Sequence, residues 1–102
     1  MAAEVLDNPK LGRYELRVDG ELVGWSEYRP AGDSLIVAHT EIVPEREGEG
    51  LAGLLVGETL KDIRAKGRTV IPTCPFTTDY IRRHAEFADL VDPSLRAQFK
   101  RT

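Results

Sequence analysis

Cys74 is the side chain in this sequence best suited to covalent chemistry, and it stands at a junction. Thr69 to Pro72 reads as a short strand, and Pro75, a residue favoured in the first turn of a helix, follows Cys74 directly. A thiol at a helix start has its thiolate stabilised by unpaired backbone N–H groups, which lowers its pKa. Such a group can carry an acyl chain transiently or orient a substrate. The plainer reading is a small buried hydrophobe, common for cysteine. Glu41, near the end of an apolar strand, is the second candidate. A partly buried carboxylate there can take a proton from an ammonium group, burial raising its pKa; a solvated or paired strand-end acid is the alternative. His84 follows Tyr80 by four residues, so the two share a helical face. A base, a helix-end cation and a packing residue all fit His84. His39, in mid-strand, reads as structural. Arg82 and Arg83 belong to a solvated helix face that could reach a phosphate.

The second chemical feature is a glycine loop. Gly48-Glu49-Gly50-Leu51-Ala52-Gly53 satisfies G-x-G-x-x-G, within a strand–turn–helix context. The dinucleotide reading of that motif fails here. It needs an Asp or Glu about 20 residues on, at the end of the next strand, to hold a ribose hydroxyl. That strand ends Ile71-Pro72-Thr73-Cys74, with no acid, and only one βαβ crossover is present. No Gly-Lys-Ser/Thr follows, so the loop is not a Walker motif either. The physics of the loop remains. The first N–H groups of the helix have no internal partner, they lie at the positive end of its dipole, and glycines let a backbone approach an anion closely. A pyrophosphate fits such a loop; a tight turn against the sheet is the other reading.

The elements that must position these groups are readable from pattern. Leu11 to Val18 alternates as a strand, Asp19-Gly20 is a tight-turn pair, and Leu22 to Tyr28 is the return strand. Leu35 to Val43 is apolar on both faces, as a central strand is. Leu51 to Lys66 carries a helical stripe of Ala52, Leu55, Val56, Leu60 and Ile63, with Asp62 and Lys66 as an i, i+4 pair and Gly67 as the exit. A strand over Thr69–Pro72 and a helix from Pro75 to about Glu86 follow, and Pro93 to Phe99 adds a last turn. The crossover is right-handed, so its two strands are parallel. The expected fold is α+β: a mixed sheet of three antiparallel strands, then helix, parallel strand, helix.

With 102 residues, the chain makes one domain, with about 1–10 and 93–102 peripheral. A net charge of −3 speaks against a nucleic-acid partner. One cysteine and two histidines make neither an internal disulfide nor a metal cluster. The absence of a signal-like start and of an apolar run of membrane length leads to the expectation of a cytoplasmic protein without a membrane partner.

The loop Glu47-Gly48-Glu49-Gly50-Leu51-Ala52 resembles the [RQ]-x-x-G-x-[GA] motif of the GNAT superfamily of acetyl-CoA-dependent N-acetyltransferases. Pro72 to Val91 is similar to a small single-domain group of that kind, with the pattern P-x-C-P-F-x-x-x-[YW]-I-x-x-H-P-E-[YF]-x-D-L-V. The resemblance covers roughly Gly12 to Val91. It implies acetyl-CoA as co-substrate, with the pyrophosphate on the amides of Glu47 to Ala52. It implies a V-shaped gap between the third and fourth expected strands, where Ile42 and Val43 pair through their backbones with the pantetheine. It implies acetyl transfer to an amine, with Cys74 beside the thioester, and the Glu41 carboxylate read above is the candidate base. Three positions depart from the patterns: Glu47 replaces Arg or Gln, Ala85 replaces Pro, and Arg82 stands where the superfamily often has a Tyr, with Tyr80 two residues earlier. Larger members have two helices after their first strand, which Asp19-Gly20 replaces here. The site is therefore expected to be open on that side, suiting a protein or peptide amine. A CoA-binding or interaction module without turnover is the alternative.

Overall fold

The computed structural model describes residues 2–99. Residues 100–102 of the expected C-terminal periphery lie outside the described residues. The sheet has five strands, β1 (Ala3–Asn8), β2 (Arg13–Val18), β3 (Glu21–Ala31), β4 (Ser34–Ile42) and β5 (Thr69–Pro72), side by side in that order. The first four form an antiparallel meander, and β4 and β5 are parallel. Helix α1 (Leu51–Ala65) makes the crossover between them, and α2 (Pro75–Arg83) follows β5. Single turns of 3-10 helix occupy Pro44–Arg46, Ala85–Leu90 and Arg96–Phe99.

The α+β, mixed-sheet expectation holds, with one strand more than expected. Strand β1 pairs with β2 from Ala3↔Val18 to Asn8↔Arg13. The β1–β2 connection is a short turn through Gly12, and the β2–β3 turn is Asp19-Gly20, both residues at positive φ. That pair of left-handed residues matches the twist of the flanking strands. No helix intervenes at either connection.

One face of the sheet is packed. Leu55, Val56, Leu60 and Ile63 of α1 are fully buried against Tyr14, Leu16, Val23, Val37 and Val70. Helix α2 lies on the same face beside α1 and contributes Ile81 to that core. The chain leaves helical geometry at His84 (φ −121°), earlier than the expected Glu86, and tightens into the 3-10 segment that buries Phe87 and Leu90. On the opposite face stand Arg13, Glu15, Arg17, Trp25, Glu27, His39 and Glu41. There Glu15 takes both Arg13 (2.9 Å) and Arg17 (3.1 Å), and Arg13 lies over the Trp25 ring. Among the described residues no helix covers that face.

Candidate active site

The site grows from one irregularity in β4. Glu27 of β3 faces His39, but Tyr28 faces Val37, so Ala38 is an extra residue without a partner. A bulge of this kind bends its strand and increases the local twist. It falls where β4 leaves β5: Val37↔Pro72 is the last parallel pair. The apex is tied by two N–H groups, Thr73 (3.0 Å) and Cys74 (3.2 Å), both donating to the Val37 carbonyl. Beyond it, Ala38 to Ile42 run on with β3 on one side and no strand on the other.

The glycine loop closes the mouth of this split. Gly48 and Gly50 hold φ of 83° and 76°, a region other residues enter at a cost. A Cβ at either would meet nothing within 4 Å, so the backbone faces open space. Gly50 caps α1 without any side-chain hydrogen bond to the helix's first amides. Glu45, Glu47 and Glu49 are exposed, and Arg46 holds Glu49 through hydrogen bonds of 3.0 and 3.1 Å. Glu49 is thus partly neutralised, Glu47 borders the cavity at the split, and the dipole end of α1 faces it.

A cavity of about 330 Å³ lies there, lined by Thr40, Ile42, Glu47, Gly48, Gly50, Leu51, Ala52 and Phe76 among others. Six of the expected site residues therefore meet at one place. Val43 does not contribute a free edge: its N–H donates to Val23 O (2.9 Å) and its carbonyl accepts from the Arg46 N–H (3.0 Å). A second groove of about 500 Å³ runs between α1 and α2 and shares Gly50, Gly53 and Phe76 with the first. Lys61, Arg83 and His84 line it, with Tyr80 stacked on His84 at 3.9 Å. Tyr80 lies so close to α1 that a Cβ on Gly57 would meet its hydroxyl at 2.6 Å. Arg83 is paired with Asp79, and Arg82 lies over Phe99.

Cys74 is buried and occupies the N-cap position of α2, before Pro75, without a side-chain cap hydrogen bond. Burial alone would push its thiol up. The backbone N–H groups of Thr77 and Phe76, with the Thr77 and Thr40 hydroxyls, outweigh burial and hold it below the ordinary thiol value. The Thr77 hydroxyl is itself buried and makes no hydrogen bond of ordinary geometry. Glu41 differs from the sequence expectation. Its carboxylate is exposed on the helix-free face, not partly buried, and it is hydrogen-bonded to His39 (Oε1–Nε2, 2.9 Å). The bulge is the physical reason. Alternation from Leu35 and Val37 would carry residues 39 and 41 into the core, and the extra residue Ala38 reverses the phase. Thr40 then points inward, bonded to Ser26 at 3.0 Å, and His39 and Glu41 point outward. His39, read from sequence as structural, is half exposed and paired with Glu41 on that face. The signal for that pairing was the His-x-Glu spacing, which puts the two on one face of any strand. Among the described residues no group of His, Cys, Asp and Glu could hold a metal, and no helix is long and apolar enough to cross a membrane.

A strand that parts from its parallel neighbour, beside an uncapped helix start, can hold an extended ligand by its amides and an anion by the helix. The chain's similarities agree with that architecture. A search of curated proteins finds no match. Among solved structures, a GCN5-like N-acetyltransferase candidate from Staphylococcus aureus superposes with a TM-score of 0.65 at 15% identity, over 87% of both chains. A GNAT-family acetyltransferase candidate from Desulfovibrio desulfuricans gives 0.51 at 20% identity, over 59% of this chain and 41% of that one. N-acetylglutamate synthase from Neisseria gonorrhoeae, complexed with coenzyme A and N-acetyl-glutamate, gives 0.53 at 18%, over 86% of this chain and 22% of that one. The chain thus spans less than half the length of the latter two. The family model described as GCN5-related N-acetyl-transferase matches residues 13–90. With the fold and that match together, the chain belongs to the GCN5-related N-acetyltransferase family.

Proposed function

We propose that this domain binds acetyl-CoA in the split between β4 and β5 and transfers the acetyl group to an amine, a protein or peptide amine suiting its open face. The observation that carries this reading is the unpaired stretch of β4 beyond Val37, ending beside the uncapped amides at Gly50. An extended pantetheine pairs with that edge, as an added strand would, with Ile42 at its end. Val43, whose two backbone groups are engaged, packs against the core and offers no edge to the ligand. The pyrophosphate sits on the backbone of Glu47 to Ala52, where Gly48 and Gly50 leave room for it. The adenosine end turns into the α1–α2 groove, toward Lys61, Arg83 and the Tyr80 ring. Cys74 stands beside the thioester, as a transient acyl carrier or as a group that orients it, and Glu41 serves the proton transfers from the other side of β4. The compartment proposed is the cytoplasm, with no metal, nucleic acid or membrane involved.

A second reading, a CoA-binding or interaction module without turnover, draws support from Tyr80. Its hydroxyl lies against Gly57 in the groove, not in the cavity at the split, so it offers no proton to a departing thiolate there. Calorimetric titration with acetyl-CoA, NADH serving as control, tests the part both readings share. Saturable binding of acetyl-CoA alone is the expected result, and its absence refutes both. Release of free CoA thiol when amines are added then separates the enzyme from the module.

A further inference from the structure

Three consecutive residues straddle the edge of the split. Thr40 faces the helices, lines the 330 Å³ cavity and reaches the Cys74 sulfur. His39 and Glu41 face the helix-free side, with His39 Nε2 2.9 Å from Glu41 Oε1. A carboxylate only accepts, so the neutral imidazole gives its Nε2–H to Glu41 and keeps the Nδ1 lone pair available. Both side chains are about half exposed, at 51% and 47%, so an incoming amine can reach them. The 330 Å³ cavity on the helix side has no imidazole, its ionisable lining residues being Arg46 and Glu47, and His84 of the adjoining groove is stacked on Tyr80 with its Nδ1 on the Tyr80 carbonyl (2.8 Å). We propose that His39 is the catalytic base of the transfer, with Glu41 as its positioning residue, and that the acceptor amine enters from the helix-free face of the sheet. This inference rests on the acetyl-transfer reading above.

The groups facing His39 are consistent with a base. Glu27 stands opposite it on β3 with its carboxylate on the Trp25 indole N–H (3.1 Å), Arg13 of β2 stands opposite Glu27, and Cys74 lies at the β5–α2 junction. The hydrogen bond to Glu41, with the charges of Glu27, Glu41 and Cys74, holds the imidazole above its ordinary value. In the step itself the amine nitrogen attacks the thioester carbonyl, forming the C–N bond. The proton it sheds goes to His39 Nδ1. The C–S bond breaks, and the proton passes from the imidazolium to the departing CoA sulfur, leaving an amide and free CoA thiol.

The test uses the full chain, acetyl-CoA and a pool of lysine-bearing peptides as the amine probe, with released CoA thiol as the readout. His39→Gln should lower kcat/KM at least about 100-fold, the usual range for a lost acid–base group, and remove the acidic limb of the pH–rate profile. Glu41→Gln should keep that limb, move it to lower pH and cost less. Both variants should bind acetyl-CoA with the wild-type Kd in calorimetry. A His39→Gln enzyme within about twofold of wild type, its acidic limb intact, overturns the inference and leaves the transfer reading standing; so does a variant that has lost acetyl-CoA binding, since His39 would then be structural. Wild-type protein that binds acetyl-CoA and acetylates nothing in the pool overturns the inference together with the transfer reading.

Discussion

The two ends of α1 sit in opposite surroundings. At its C-terminal end, a cluster of polar side chains is joined by hydrogen bonds and ion pairs. The Tyr14 hydroxyl donates to Asp62 (2.6 Å) and the Tyr28 hydroxyl to Asp7 (2.6 Å), while Lys66 bridges Asp7 (3.0 Å) and Asp62 (2.7 Å). This cluster ties the edge strand β1 and the meander to the helix. Burial, then the bond to Asp7, pushes the Tyr28 hydroxyl up to about 12, and burial with Asp62 pushes Tyr14 higher still, so both remain donors at any physiological pH. At the N-terminal end the same helix starts on a left-handed glycine, without a side-chain cap, beside a strand that has lost its neighbour. One end ties its side chains to the sheet through internal bonds; the other leaves backbone donors unspent. The difference teaches where each kind of substitution should register: stability at the closed end, ligand affinity at the split end.

The largest expected effect is at the closed end. Asp62→Ala strands the hydroxyl of Tyr14, which is 1% exposed, and removes one of the two partners of Lys66. Leaving a buried donor unpaired costs about 2 kcal/mol, which for a domain of this size lowers Tm by on the order of 10 °C. Calorimetry should find acetyl-CoA affinity unchanged. A variant that kept its Tm but lost the ligand would abolish the distinction between the two ends.

Gly50→Ala makes the converse demand. The added methyl meets open space, so the cost is backbone strain alone at φ 76°, about 1 kcal/mol, detectable as a small fall in Tm. If the helix start relaxes out of the left-handed region, its first amides re-aim. One charge-assisted hydrogen bond lost to the pyrophosphate weakens acetyl-CoA binding about tenfold or more. Unchanged affinity in a folded Gly50→Ala protein would remove the loop from the binding reading.

How much of this contrast could be read in the sequence depends on how local its causes are. The Asp62–Lys66 pair, the Gly67 exit and the Asp19-Gly20 turn were legible because each needs only neighbours in the chain. Strand β1 was not: Ala-Glu-Val-Leu-Asp-Asn does not alternate in polarity, Leu6 is 49% exposed, and the inward face is Val5 with Asp7, a carboxylate held by Tyr28 and Lys66. The early end of α2 was hidden because Phe87 and Leu90 keep helix-like apolar spacing while packing from a 3-10 turn. The glycine loop declared itself by its glycines. The placement of Glu41 and His39 did not, because it turns on whether Ala38 is counted in the pleat. A bulge is set by the partner strand's register, which no single stretch of sequence carries.

Cys74 lies beside the split and tests its electrostatics most finely. Its reactivity toward a small alkylating reagent should rise with pH as the thiolate forms, with a midpoint below that of an ordinary thiol. Burial slows the reagent at every pH but leaves the midpoint reporting the thiolate alone. Thr77→Val removes a buried hydroxyl near the sulfur that helps lower this thiol and makes no hydrogen bond of ordinary geometry. The variant should move the midpoint upward toward the ordinary value while Tm stays within a few degrees, since no other hydrogen bond is broken. The amides of Phe76 and Thr77 remain, so the shift should be partial. A midpoint at or above the ordinary value in the unaltered protein would mean that burial prevails over the helix start. Cys74 would then be packing, and the split would have to work with its backbone and the His39–Glu41 pair alone.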